Sequence, residues 1–234
     1  MKSVFKSTGN MLMNISNKKG ANIYTPLILK IYDAWVLKIS NSYVWRCNTE
    51  NILLRHFQMS MGKKHLDIGV GTGYYIAKTK EASSNITLLD LNPNSLAAAS
   101  KRIGVNRINH VLQHDIYMPL PDSEKGQYDT VSMYYLLHCL RGNMHEKALV
   151  IEHASQALTD SGKLHGATIL GKDVEHNWLG RYLMNIYNKK GIFCNYADSC
   201  GDLKEVLDRY FKDVTIKQYG TVAVFTATNK KQRN

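Results

Sequence analysis

The chain has 234 residues, 44% hydrophobic and 21% charged, which suits one ordinary domain with a full core and excludes disorder of the whole chain. No apolar run reaches the ~18 residues of a membrane span, and the start lacks the apolar stretch of ~7–15 residues that marks a secretory signal. The net charge of +11 sits on the flanks: residues 1–60 carry +6, residues 228–234 carry +3, and +2 remains for residues 61–227. Basic ends of this kind touch phosphates or anionic lipid, or are simply solvated. Cys47, Cys139, Cys194 and Cys200 lack paired spacing, so neither a metal site nor a disulfide framework is indicated. Free thiols in a reducing cytoplasm are the expectation.

Residues 1–20, rich in Ser, Asn, Lys and Gly, read as a flexible basic tail. Thr25-Pro26 is a helix start, and Leu27, Ile31, Ala34 and Trp35 then recur at helical spacing. With a second helix over 50–60, residues 21–60 form a predicted helical lid. From Lys64 strands and helices alternate. Strands are expected at 64–68, 86–90, 109–113, 128–133, 163–169, 214–218 and 221–227, and helices at 73–81, 94–103, 144–158, 177–189 and 202–211. Asn94 is the expected cap of the helix that Gly104 stops, and Thr159 to Gly162 reads as a turn before the fifth strand. The close join near Tyr219-Gly220 predicts a terminal antiparallel hairpin. Residues 61–228 therefore read as an α/β domain: a doubly wound seven-stranded sheet, mostly parallel, with an antiparallel last strand.

The strongest motif is His65-Leu-Asp67-Ile-Gly69-Val-Gly71-Thr72-Gly73-Tyr-Tyr-Ile, an apolar strand that runs through three alternating glycines into a helix. Glycine lets the backbone turn sharply and lets a ligand approach it closely. The nicotinamide fingerprint needs its third glycine three places after the second, where this chain has Tyr74. Asp-x-Gly-x-Gly-x-Gly instead resembles the donor motif of class I S-adenosylmethionine-dependent methyltransferases. Asp90 ends the second strand, where a carboxylate can accept both ribose hydroxyls. Asp115 follows the third strand, and the family takes the adenine amino group on an acid there. The fourth strand breaks into Met133, Tyr134, Tyr135 and His138 at its carboxyl end, where open α/β sheets hold ligands.

The stretches Tyr24 to Asp33, Asp67 to Tyr75, Ser132 to Leu140 and Gly166 to Gly171 are similar to one small family that comprises bacterial methyltransferases and the fungal viridicatumtoxin-pathway O-methyltransferase. The resemblance covers roughly residues 22–227. It implies S-adenosyl-L-methionine as cofactor, with Asp67, Gly69, Gly71, Thr72, Gly73, Asp90, Leu91, Asp115, Ile116 and Met133 around it. It also implies a small, aromatic or polyketide-like acceptor.

Methyl transfer from a sulfonium is an in-line displacement, so alignment at ~3–3.5 Å is the main requirement. A phenol of pKa ~10 would benefit from a base, and His138 is the candidate, with Tyr134 beside it. Tyr24, Trp35, Tyr43, Tyr135 and His176 are candidates for the acceptor pocket, because aromatic side chains suit flat organic molecules. Ordinary packing is the competing reading for each of them. A nucleic-acid methyltransferase is the rival function, favoured by the basic flanks. The strand-four sequence Ser-Met-Tyr-Tyr lacks the Asn/Asp-Pro-Pro-aromatic run of enzymes acting on base amino groups, and no Pro-Cys nucleophile is present. A non-catalytic donor-binding protein would have lost glycines or acids that this chain keeps.

Overall fold

The computed structural model describes residues 40–79 and 85–232. The basic tail and most of the lid, including the expected site residues Tyr24 and Trp35, lie outside the described residues. What is described of the lid ends in a π-helical stretch, Thr49–Leu54, which runs straight into the helix α1, Arg55–Ser60. Asn48 caps it by accepting the Asn51 N–H at 2.8 Å.

The sheet is built from β1 (Lys64–Ile68), β2 (Asn85–Asp90), β3 (Ile108–Gln113), β4 (Tyr128–Tyr134), β5 (Leu158–Ile169), β6 (Phe211–Tyr219) and β7 (Val222–Lys230). Their order is β3-β2-β1-β4-β5-β7-β6. β1 to β5 run parallel, and β7 inserts antiparallel between β5 and β6. The doubly wound sheet with an antiparallel last strand is thus the one expected. Central β1 is buried from His65 to Ile68, so both the apolar Leu66 and Ile68 and the polar His65 and Asp67 that alternate with them are out of water.

Helices α2 (Tyr74–Lys78), α3 (Pro93–Ile103), α4 (Ala148–Ala157), α5 (Trp178–Lys189) and α6 (Cys200–Tyr210) complete the layers. The cap of α3 is Asn92, not Asn94: Asn92 accepts the Asn94 N–H at 2.9 Å, and Pro93 takes the first helical position, where its missing N–H costs nothing. Gly104, at φ 91°, ends that helix as expected. α4 begins later than predicted because residues 143–146 close a separate turn. Asn143 Oδ1 accepts the Glu146 N–H at 3.1 Å while Glu146 Oε2 accepts the Asn143 N–H at 2.8 Å, a reciprocal cap. The expected turn at 159–162 is absorbed into β5 as an irregularity, since Tyr128 faces Leu158 but Thr130 already faces Lys163.

The two faces of the sheet differ, and this positions the site. One face packs Leu66, Ile68, Val131, Met133, Leu164 and Phe225 with α4 and α6 into an apolar core. Alternation along the strands then sends His65, Asp67, Thr130, Ser132, Tyr134 and His165 to the other face. There they meet Phe57 of α1 and the second core, which includes Trp45, Ile76 and Leu96.

Candidate active site

The glycine-rich loop leaves β1 with the Gly69 N–H bonded to the Leu89 carbonyl at 2.8 Å and closes with the Gly73 N–H on the Val70 carbonyl at 2.8 Å. Gly69, Gly71 and Gly73 all have positive φ (74°, 52° and 69°). Gly71 and Gly73 need glycine for different reasons. A Cβ on Gly73 would stand 3.0 Å from Ala99 of α3, so this glycine lets loop and helix pack. A Cβ on Gly71 would meet no protein atom within 4 Å, and Gly71 is on a cavity wall, so its bare backbone serves whatever fills the cavity.

That cavity, about 430 Å³, lies outside the carboxyl ends of β1, β2, β3 and β4. Its wall brings together Asp67, Gly69, Gly71, Thr72, Asp90, Leu91, Asp115 and Ile116 from the donor set expected from sequence. Asp90 Oδ1 accepts the Asn92 N–H at 2.8 Å. Burial pushes Asp90 up to about 6, while the N–H groups of Asn92, Gly71, Val70 and Leu91 pull it back. Asp67 stands near it and is pushed up to about 7, first by burial and also by the charge of Asp90, against a hydrogen bond from Ser132. Asp115 Oδ1 accepts the Tyr117 N–H at 3.0 Å, which fixes the chain beyond β3.

Two expected donor residues are not on this wall. Gly73 is the packing glycine just described. Met133 is fully buried on the apolar face of the sheet, because it alternates with Ser132 and Tyr134.

The acceptor set divides further. Tyr134 and Tyr135 line the cavity, joined by Tyr74, Tyr75 and Phe193. Tyr135 has φ 58°, a left-handed backbone that a bulky residue rarely adopts. The Tyr134 hydroxyl is engaged away from the cavity. It lies 2.6 Å from His56 Nδ1 and 3.3 Å from His165 Nδ1, neither residue lining the cavity, and burial raises its pKa well above the usual phenol value.

His138 is buried on a short helical turn, Leu137–Cys139, and is not a lining residue. Its Nδ1 accepts the Ile169 N–H at 3.3 Å, and burial, aided by Lys147, lowers its pKa to about 3. The lone pair a base would use is therefore committed to the backbone in this structure. Tyr43 is 73% exposed, and its carbonyl accepts Asn177 Nδ2 at 2.8 Å. His176 donates Nε2–H to the Leu170 carbonyl at 3.0 Å and meets Trp45 edge-on, in a separate surface hollow. Neither belongs to the main cavity.

Sequence reasoning missed the stretch from Asn188 to Cys194, which closes one side of the cavity. It is held by Asn188, which accepts the Asn195 N–H at 3.1 Å, and by Lys147, buried with Nζ 2.7 Å from the Cys194 carbonyl and 2.5 Å from Asp198. The only local signal is Lys189-Lys190-Gly191, a helix stop two residues before Phe193. Among the described residues no group of three or more His, Cys, Asp or Glu side chains is placed to hold a metal ion.

A glycine loop, an acid ending β2 and an acid after β3, all on one cavity at the strand ends, define a doubly wound enzyme that holds an adenosine-bearing ligand. A family model described as a methyltransferase domain matches residues 66–164. The chain is 51% identical to the YbcY protein of Escherichia coli (strain K12), over 82% of this chain and 99% of that one. It is 41% identical to the physcion biosynthesis cluster O-methyltransferase of Aspergillus chevalieri, over 92% of this chain and 96% of that one. Among solved structures, the DhpI–SAH complex is similar with a TM-score of 0.68 at 15% identity, covering 93% of this chain and 98% of that one. The chain belongs to this family of class I S-adenosylmethionine-dependent methyltransferases. No helix among the described residues is long and apolar enough to cross a membrane.

Proposed function

We propose that this enzyme methylates a hydroxyl of a small aromatic or polyketide-like molecule. The observation that carries the reading is one cavity that joins the glycine loop and its acids to a wall of Tyr74, Tyr75, Tyr134, Tyr135 and Phe193. Aromatic faces around a few polar groups suit a flat organic acceptor. The Aspergillus chevalieri relative, named as an O-methyltransferase of physcion biosynthesis, supports a hydroxyl as the acceptor group.

S-adenosylmethionine supplies an electrophilic methyl group on a positively charged sulfur. We assign Asp90 to the ribose hydroxyls, Asp115 to the adenine amino group, with Leu91 and Ile116 on the base, and Asp67 with the loop from Gly69 to Thr72 to the amino-acid end. These residues are arranged to bind and orient, and alignment is worth most in a displacement of this kind. We assign no imidazole base, since the His138 lone pair is committed. We assign residues 61–228 to the catalytic unit. A reducing cytoplasm, where the four cysteines stay thiols, is the proposed setting.

The test is a labelled-methyl assay against hydroxylated aromatics, alkyl amines and total RNA, at low and moderate salt. Label in an aryl methyl ether is the expected result. Label confined to RNA, and lost steeply with salt as counterion release requires, would replace this reading with the nucleic-acid one.

A further inference from the structure

Behind the donor side of the cavity runs a line of buried polar groups, set by the parallel pairing of β1 with β4. The register places His65 opposite Thr130 and Asp67 opposite Ser132. His65 is fully buried, with Nδ1 2.8 Å from Thr130 Oγ1 and Nε2 3.0 Å from Ser132 Oγ. The Gly62 N–H reaches Thr130 Oγ1 at 2.9 Å, and Ser132 Oγ donates to Asp67 Oδ1.

The two ends give this chain one direction. A backbone N–H can only donate, and an ionised carboxylate can only accept. With Asp67 ionised, Ser132 gives its one proton to the carboxylate and so accepts the Nε2–H of His65. Nδ1 of His65 is then bare and accepts the hydroxyl proton of Thr130, whose oxygen accepts the Gly62 N–H. Burial lowers His65 to about 3, so it stays neutral and the tautomer is fixed. Each bond polarises the next, which strengthens the last one on the carboxylate.

We propose that His65 and Ser132 are positioning residues that hold Asp67 ionised and aimed at the ammonium of the donor's amino-acid end. The inference rests on the donor-site reading of Asp67. It is needed because the surroundings of Asp67 otherwise oppose its charge. Asp90 from the end of β2 is a like charge, Tyr134 from β4 is a buried phenol, and burial itself raises Asp67 to about 7. The Ser132 hydroxyl is the counterweight, and His65 aims it. Ionisation of Asp67 then governs donor affinity in the neutral range, whereas Asp90, at about 6, titrates lower.

The experiment is calorimetry of S-adenosylhomocysteine, which keeps that ammonium, on the whole chain from roughly pH 5.5 to 8.5. Affinity is expected to fall about tenfold per pH unit below the Asp67 midpoint. Ser132→Ala moves that midpoint up by roughly 1–2 pH units, the worth of one charge-assisted hydrogen bond. His65→Phe moves it the same way by less, and His65→Gln, which keeps an N–H near Nε2, restores part of the shift. A midpoint unmoved in folded Ser132→Ala and His65→Phe, with Asp67→Asn removing the upper step, overturns the positioning role and leaves the donor-site reading standing. If Asp67→Asn changes neither affinity nor its pH profile, the donor-site reading of Asp67 fails and the proposal with it. Nitrogen-15 spectra of the unmodified protein test the chain without any variant. Nε2-protonated His65 is expected, and an Nδ1-protonated ring would overturn the proposal.

Discussion

Asp67→Asn should make the ligand-free protein more stable, and by an amount that depends on pH in a defined sense. Burial raises Asp67 from 3.8 to about 7, so the folded state resists its ionisation. A gap of about three pH units at 1.36 kcal/mol each corresponds to roughly 4 kcal/mol. Because the folded pKa is raised, the favourable contribution of Asp67 is complete below the unfolded value near 3.8. It is lost as pH rises through the folded value of about 7. Asparagine keeps an oxygen for the Ser132 hydroxyl and never ionises. Urea unfolding of both proteins without donor, at intervals from about pH 4 to about pH 8.5, should therefore show no difference at the acid end. The variant should lead by roughly 4 kcal/mol above about pH 7.5. A difference constant across the range, or a variant less stable at about pH 8, would refute the argument that desolvation of this acid is what the fold tolerates.

Further outcomes follow from the same geometry. Asp90→Ala should weaken donor binding on the order of 100-fold in calorimetry with the fold retained, since charge-assisted hydrogen bonds contribute roughly 1.5–3 kcal/mol each. Gly71→Ala should abolish donor binding while costing about 1–2 kcal/mol of stability for its left-handed backbone. Gly73→Ala should cost clearly more stability, because its Cβ meets Ala99 at 3.0 Å, and denaturant midpoints compare the two. Lys147→Met strands Asp198, fully buried beside it, and should cost roughly 3–5 kcal/mol, whereas replacing both by apolar residues should recover much of that. Phe193→Ala should raise the acceptor KM with donor affinity nearly unchanged, and equal loss of both would remove Phe193 from the acceptor wall.

The sheet and half of the site were legible because both rest on local chain properties. An apolar strand running into glycines announces the loop after β1, and an acid closing the next strand announces Asp90. Met133 shows a local signal left unused. With Val131 it shares the apolar face, and the period of two along a strand already separates it from Tyr134. The His65–Ser132–Asp67 chain could not be read this way. His65 and Asp67 lie on β1 and Ser132 on β4, and only the register of β1 on β4, a contact across about 65 residues of sequence, joins them. The placement of His138 was not legible for a related reason. A histidine just past a strand end can face the cavity or fold back, and the short turn at Leu137–Cys139 turns it into the core against Phe193, with ring centroids 4.5 Å apart.

The unequal faces of the sheet suggest how stability and chemistry are divided in this chain. The face built on Leu66, Ile68, Val131, Met133, Leu164 and Phe225 carries no ionisable side chain from these strand positions and can be packed for stability alone. The opposite face holds His65, Asp67, Tyr134 and His165, and burial shifts every one of them against its charged form. Such groups persist only where the surrounding structure holds them, so the apolar face must supply the stability that the polar face costs. His56 links the polar face to α1: its Nε2 lies 2.9 Å from Thr226 of β7 while its Nδ1 meets the Tyr134 hydroxyl. The aromatic wall is thereby fixed in place by the helix that packs over it. Burial, with help from Lys163 and Lys217, lowers His56 to about 4, so this tether is neutral at physiological pH. Loss of acceptor turnover in His56→Leu without loss of donor affinity is the outcome this arrangement requires. A variant with unchanged acceptor kinetics would show that the wall needs no tether.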